Sequence, residues 1–162
     1  DTPFEGVLFV GLMIKDGQPK LVEYNVRFGD PECQCLMMRL GGQALDLLQA
    51  CAAHRLADMQ VTWANDHALT VILATKGYPG SYEKGSVIKG LDALPEDSHH
   101  MTFHAGTTEK DGQITATGGR VLAATARAAT LQKAHDAAYT LTSQIDWPEG
   151  FHRKDIGWRA LK

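Results

Sequence analysis

The sequence predicts an α+β fold, in which an antiparallel hairpin and helices are followed by a small second α+β domain. Three features carry that prediction. Two apolar stretches flank Asp16-Gly17, a tight-turn pair that favours a hairpin. Two segments of helical period follow Asp30-Pro31. Beyond residue 60 the pattern changes to short strand-like runs closed by one amphipathic helix. The expected division is therefore residues 1–60 and residues 61–162, with the boundary in the polar, charged stretch from His54 to Asn65.

Each element has its own warrant. Gly6 to Ile14 is an almost unbroken apolar run, the pattern of a strand buried on both faces. After the turn, Lys20–Phe28 is the returning strand. A helix is expected from about Glu32, with Cys33, Leu36, Met37 and Leu40 on its inward stripe. Gly41-Gly42 breaks it, and Ala44 to Ala53 resumes with Leu45, Leu48 and Ala52 inward. Both stripes read as core. In the second part the strands are Leu69–Ala74, Val87–Lys89, Met101–Ala105, Ile114–Thr117 and Arg120–Thr125, with a second hairpin turn at Asp111-Gly112. Leu131, Ala134, Ala138, Leu141 and Ile145 recur at helical spacing, which predicts a helix over Leu131–Gln144.

Composition narrows the function classes. The chain has 162 residues, 44% of them apolar, enough for a core. A formal net charge of −3 argues against a general nucleic-acid binder. No apolar run approaches the ~20 residues of a membrane helix, so no membrane partner is expected. No signal-peptide pattern precedes the first strand. An odd number of cysteines, three, suits a reducing compartment, and the expected location is cytoplasmic. Cys33 and Cys35 lack a second ligand pair, so buried thiols are expected there rather than zinc.

The most informative stretch is Leu21 to Glu32. In a strand, residues two apart share a face, so Glu23, Asn25 and Arg27 form one polar row. Its ends lie about 13 Å apart at roughly 3.3 Å per residue, a reach comparable to a polyphosphate with its metal. Glu23 and Asn25 offer the oxygen ligands that a hard divalent cation prefers. Arg27 is a fixed-charge fork for phosphate or acyl-phosphate oxygens. Gly29 permits a tight turn, Asp30 is a good N-cap, and Pro31 suits the first helical position. The helix N-terminus so placed would bring amide donors to the same ligand, with Arg27, Gly29 and Asp30 as the nucleotide-contacting residues. Ordinary capping competes with a ligand role for Asp30 and Glu32.

The word Glu23 through Glu32, E-x-N-x-R-F-G-D-P-E, resembles the metal-binding strand of ATP-grasp ligases, in the version carried by the phosphoribosylamine–glycine ligase family. Further words agree in the family's order. They are Thr2-Pro3-Phe4, the run Gly77-Tyr78-Pro79-Gly80 to Gly85, Phe103-His104-Ala105-Gly106-Thr107, Gly118-Gly119-Arg120 and Arg153-Lys154-Asp155. The resemblance implies that residues 1–60 are the end of an ATP-grasp domain. It implies ATP as co-substrate, magnesium or manganese on Glu23 and Asn25, and charge neutralisation by Arg27. The substrates would be glycine and phosphoribosylamine, joined through a glycyl phosphate in purine synthesis by a monomeric intact enzyme. It covers the C-terminal portion of the family's chain, so this portion alone is expected to be inactive and to need the N-terminal portion as partner. Its apolar hairpin is expected to be exposed and prone to self-association.

Two other readings stay open. A different ATP-grasp carboxylate–amine ligase would share Glu23, Asn25 and Arg27, though not the words at Gly77 and His104. A non-catalytic interaction module would be indifferent to Glu23→Ala and Asn25→Ala. Elsewhere, Gly77 to Gly85 with Lys84 reads as turn chemistry, since it lacks a phosphate-loop context. Arg120 is as suited to an ion pair as to a ligand. His99-His100 reads as an exposed loop, His104 as a satisfied core histidine, and Arg153-Lys154-Asp155 as a salt-bridged tail.

Overall fold

The computed structural model describes residues 2–161. The chain forms two compact units, one ending at Trp63 and the other beginning at Ala64.

In the first unit, β1 (Phe9–Lys15) and β2 (Gln18–Asn25) pair antiparallel, joined at Asp16-Gly17. Both turn residues have positive φ, 52° and 73°, the geometry of a two-residue hairpin turn that glycine at the second position favours. A bulge opposite Gly11 and Leu12 leaves Val22 unpaired on β2. The expected doubly buried first strand is not found. Leu12, Met13 and Ile14 are exposed, because β1 and β2 make a sheet of their own with no further strand in it. Their apolar side chains and outer edges are open, as expected for the hairpin.

Two helices follow, α1 (Glu32–Leu40) and α2 (Gln43–Ala52), separated at Gly41-Gly42. Their stripes differ from expectation. On α1 only Met38 is buried, and Cys33, Leu36, Met37 and Leu40 are half-buried. On α2 the buried residue is Ala50, while Leu45, Leu48 and Ala52 are exposed. Nine- and ten-residue helices present few turns, and here their apolar side chains border an open cleft instead of a packed core. Gln43 stitches the region together. Its Oε1 accepts from the Thr62 amide at 2.9 Å, and its Nε2 donates to the carbonyls of Leu40 and Thr62. Arg39 lies 5.6 Å above the Trp63 ring.

The second unit is built on a four-stranded antiparallel sheet in the order β5-β8-β3-β9, with β3 His67–Thr75, β5 His100–His104, β8 Arg120–Ala128 and β9 Gly150–His152. A three-stranded sheet, β4-β7-β6, comprises Val87–Ile88, Gln113–Ala116 and Thr107–Lys110. Helix α3 (Leu131–Gln144) begins at the N-cap Thr130, whose hydroxyl accepts from the Lys133 amide at 3.2 Å. Ala134, Ala138 and Leu141 on α3 are buried, as its period predicts. Ala134 and Ala138 pack with Leu69, Val71 and Ala126 of the large sheet. A second cluster joins Leu73, Leu122 and Leu141 to Ile88, Ala116 and Trp147. Trp147 is anchored there by its indole N–H on Ser86 Oγ at 2.9 Å.

Candidate functional site

Glu23 and Asn25 lie on β2, with Gly11 and Phe9 as their respective partners on β1. Gly11 is the permissive residue for Glu23. A side chain there would begin 3.0 Å from Glu23 Cγ, so the glycine keeps open the space in which the carboxylate chain lies. Asn25 is half-buried, and its amide Nδ2 is buried without a hydrogen-bond partner. That is a costly arrangement unless the amide serves a ligand. Among the described residues no group of three or more His, Cys, Asp or Glu is placed to hold a metal ion. A site on this strand would therefore rest on one carboxylate and one amide. That donor set fits magnesium, which takes one or two protein oxygens and completes its shell with phosphate and water.

The row does not extend to Arg27 as strand geometry. β2 ends at Asn25, and Val26 and Arg27 form a bend. The alternation that puts Glu23 and Asn25 together, and the span of the longer row, therefore stop there. Arg27 is exposed and donates from Nη1 to the Phe28 carbonyl at 2.9 Å. Asp30 is exposed as well and is not the N-cap. Pro31 occupies that position without a side-chain cap bond, and the helix starts at Glu32. The first-turn amide of Cys33 is already taken by the Gly29 carbonyl at 2.9 Å. Gly29 is buried and has no positive φ, so its role is close approach, not turn formation. A Cβ there would collide with the Glu32 carboxylate and sit 2.9 Å from the Phe9 ring. Sequence reasoning missed this packing of Phe9, Gly29 and Glu32. The one available signal was a glycine six residues after Glu23, which looked like turn chemistry.

An apolar cleft of about 760 Å³ opens in the same unit, and Phe9, Phe28 and Gly29 are among its lining residues. Leu36, Met37 and Leu47 contribute from the helices. On α1, two thiols are tuned down in reactivity. Burial pushes the Cys35 thiol up to about 11; the Glu32 charge adds to the shift and Arg39 opposes it. Burial also raises Cys33, helped by Asp30.

In the second unit, His104 is exposed and not a core histidine. Its Nδ1 bonds Thr107 Oγ1 at 2.8 Å. His99 is exposed and His100 half-buried, and Asp97 accepts from both backbone amides at 2.6 and 2.8 Å. Those bonds and the His100 imidazole hold the Asp97 carboxyl below its usual range. Lys84 and Arg120 are exposed. Arg153 and Asp155 form a two-point pair at 2.6 and 2.8 Å, as expected for a salt-bridged tail. Tyr139 of α3 docks that tail, donating to the Arg153 carbonyl at 2.7 Å and accepting from the Ile156 amide at 3.2 Å.

Comparisons with known proteins show which family the chain belongs to. Residues 68–159 match the C domain of phosphoribosylglycinamide synthetase, and residues 1–33 match its ATP-grasp (A) domain. A phosphoribosylamine–glycine ligase of Brucella melitensis is 54% identical over 161 residues, covering 99% of this chain and 38% of that relative. The chloroplastic phosphoribosylamine–glycine ligase of Arabidopsis thaliana is 52% identical over 163 residues, covering 98% of this chain and 31% of that protein. The crystal structure of phosphoribosylamine–glycine ligase from Thermotoga maritima superposes with a TM-score of 0.76 at 33% identity, over 91% of this chain and 36% of that one. The chain thus spans well under half the length of these relatives. With residues 68–159, more than half of the chain, matched to the C domain and residues 1–33 to the ATP-grasp domain, the chain belongs to the phosphoribosylglycinamide synthetase family.

Proposed function

We propose that this chain supplies the metal-bearing strand and the C domain of an ATP-dependent phosphoribosylamine–glycine ligase. The observation that carries the reading is the pair of family matches, residues 1–33 to the ATP-grasp domain and residues 68–159 to the C domain, with Glu23 and Asn25 together on β2. In the proposed reaction a glycine carboxylate oxygen attacks the γ-phosphorus of ATP and ADP leaves. The amine of phosphoribosylamine then attacks the carbonyl of glycyl phosphate. The carbon–oxygen bond to phosphate breaks, inorganic phosphate departs, and the nitrogen loses a proton to give glycinamide ribonucleotide.

The protein's part is positioning and electrostatics, with no side-chain nucleophile required. Glu23 and Asn25 would hold magnesium or manganese, which when bound neutralises phosphate charge. Arg27 is exposed on the bend after β2, where a modest turn of its guanidinium away from the Phe28 carbonyl would present two donors to a phosphoryl oxygen. Gly29 and Asp30 are the proposed backbone and side-chain contacts to the nucleotide. Asp30 acts there as a ligand and not as a cap. The hairpin-and-helix unit is proposed as the end of an ATP-grasp domain.

The test is ATP-dependent phosphate release with glycine and freshly generated phosphoribosylamine. It is run on this chain alone and on this chain mixed with the complementary N-terminal portion of the Brucella melitensis relative. Turnover only in the mixture is expected. A mixture that forms a folded complex yet releases no phosphate contradicts the assignment.

A further inference from the structure

Gly11 stands in the interior of β1, where a glycine weakens a strand and so calls for a reason. Its own backbone does not supply one, because its φ lies outside the positive region that Gly6, Gly17 and Gly41 occupy in the same unit. Close approach of another backbone does not supply one either. A Cβ at this position would meet the Glu23 amide nitrogen and carbonyl oxygen at 3.7 Å, ordinary van der Waals contact. The tight contact is with a side chain. The same Cβ would lie 3.0 Å from Glu23 Cγ, and the glutamate would have to give by a few tenths of an ångström.

The neighbouring cross-strand pair shows the opposite choice. Phe9 stands opposite Asn25 and Gly11 opposite Glu23, two residues apart on each strand, so the four share one face of the hairpin. A bulky ring flanks the amide, and an empty notch flanks the carboxylate. On the other side of the Gly11–Glu23 pair the register slips past Val22, a bulge of the kind that twists a strand and re-aims its side chains. Glu23 is exposed, and an exposed glutamate has many rotamers open to it. The notch over Gly11 is what lets this one lie across β1.

We propose that Gly11 is a positioning residue for the divalent cation held by Glu23 and Asn25, setting where the carboxylate oxygens reach it. The inference rests on the ligase reading of those two residues and adds β1 to a site otherwise confined to β2. The experiment is an amide NMR titration of this whole chain with manganese(II) chloride, whose unpaired electrons broaden nearby signals, with no ATP or substrate present. Broadening is expected to saturate at residues 10–12 and 22–25. Glu23→Gln, which keeps Cγ and loses the charge, is expected to remove it. Gly11→Ala is expected to weaken binding about fivefold, below the roughly 10- to 100-fold lost when a metal ligand's hydrogen-bonded support is removed. Gly11→Val, with more bulk beside Cγ, is expected to weaken it further.

Hairpin stability separates positioning from a structural role. Amide exchange in β1 and β2 is expected to stay the same or slow in both variants, since either residue suits a strand better than glycine. Variants that bind manganese as the unsubstituted chain does overturn the inference. Weaker binding accompanied by faster exchange overturns it too, because the glycine would then serve the fold alone. So does an unsubstituted chain with no saturable broadening on the hairpin by about 20 mM, well above a millimolar dissociation constant. Phosphate release by the reconstituted mixture tests the ligase reading separately, so the two can fail independently.

Discussion

The hairpin of the first unit and the central strands of the second are comparably apolar in sequence and end in opposite surroundings. Ile14 on β1 is 65% exposed and Val22 on β2 is 66% exposed. Val71 on β3 and Leu122 on β8 are 0% exposed. The difference is architectural. β8 lies between β5 and β3 with α3 packed across a face, whereas β1 and β2 have only each other. An apolar run therefore reports that burial is wanted, and the neighbouring elements decide whether it is obtained.

The sharpest way to break that comparison is paired truncation. Leu122→Ala should cost about 2–5 kcal/mol, the range for a buried leucine whose site cannot collapse. Leu12→Ala on the exposed hairpin should stay within about 0.5 kcal/mol. Denaturant melts of both variants check this, and equal losses would dissolve the contrast. The hairpin's open apolar edge should also make the chain self-associate, as light scattering after size exclusion would detect. Leu12→Lys should shift it towards monomer; a chain that is sharply monomeric without the lysine contradicts the account.

A smaller effect belongs to the second unit alone. Thr130→Ala removes the α3 cap and should lower stability by about 1 kcal/mol, seen as faster amide exchange in the first turn of α3. In the first unit, the raised thiol of Cys35 predicts slower alkylation of Cys35 in the folded chain than in the denatured chain, checked by mass spectrometry of partly alkylated chains at pH 8. The sign of the linkage follows from a folded value near 11 against an ordinary 9.0. Folding favours the protonated thiol, so the contribution is whole below pH 9 and is lost as pH rises towards 11.

How far the sequence could be read follows the same divide. Helix α3 matched its expected bounds, because a 14-residue amphipathic period with buried Ala134, Ala138 and Leu141 is a strong signal. The Asp16-Gly17 and Asp111-Gly112 turns were legible from their chemistry, and both have positive φ. Strands β6 and β9 were missed. Thr107–Lys110 is mostly polar and exposed at a sheet edge, and Gly150–His152 is three residues long, so neither carries a hydrophobic period. The α2 stripe failed because Leu45 and Leu48 stay exposed, Leu48 on the wall of the open cleft, in a unit with no packed layer over them. Near the candidate site, the pairing of Glu23 with Asn25 was readable from period two. The end of β2 before Arg27 and the displaced cap at Pro31 were not, since backbone bends leave no pattern in residue type.

The central claim is that the carboxylate on β2 holds the metal. Its most direct test is phosphate release by the reconstituted mixture carrying Glu23→Ala, titrated with magnesium. The account predicts a loss on the order of 100-fold or more with the complex still folded. Turnover equal to that of the unsubstituted mixture at the same magnesium concentration would contradict it.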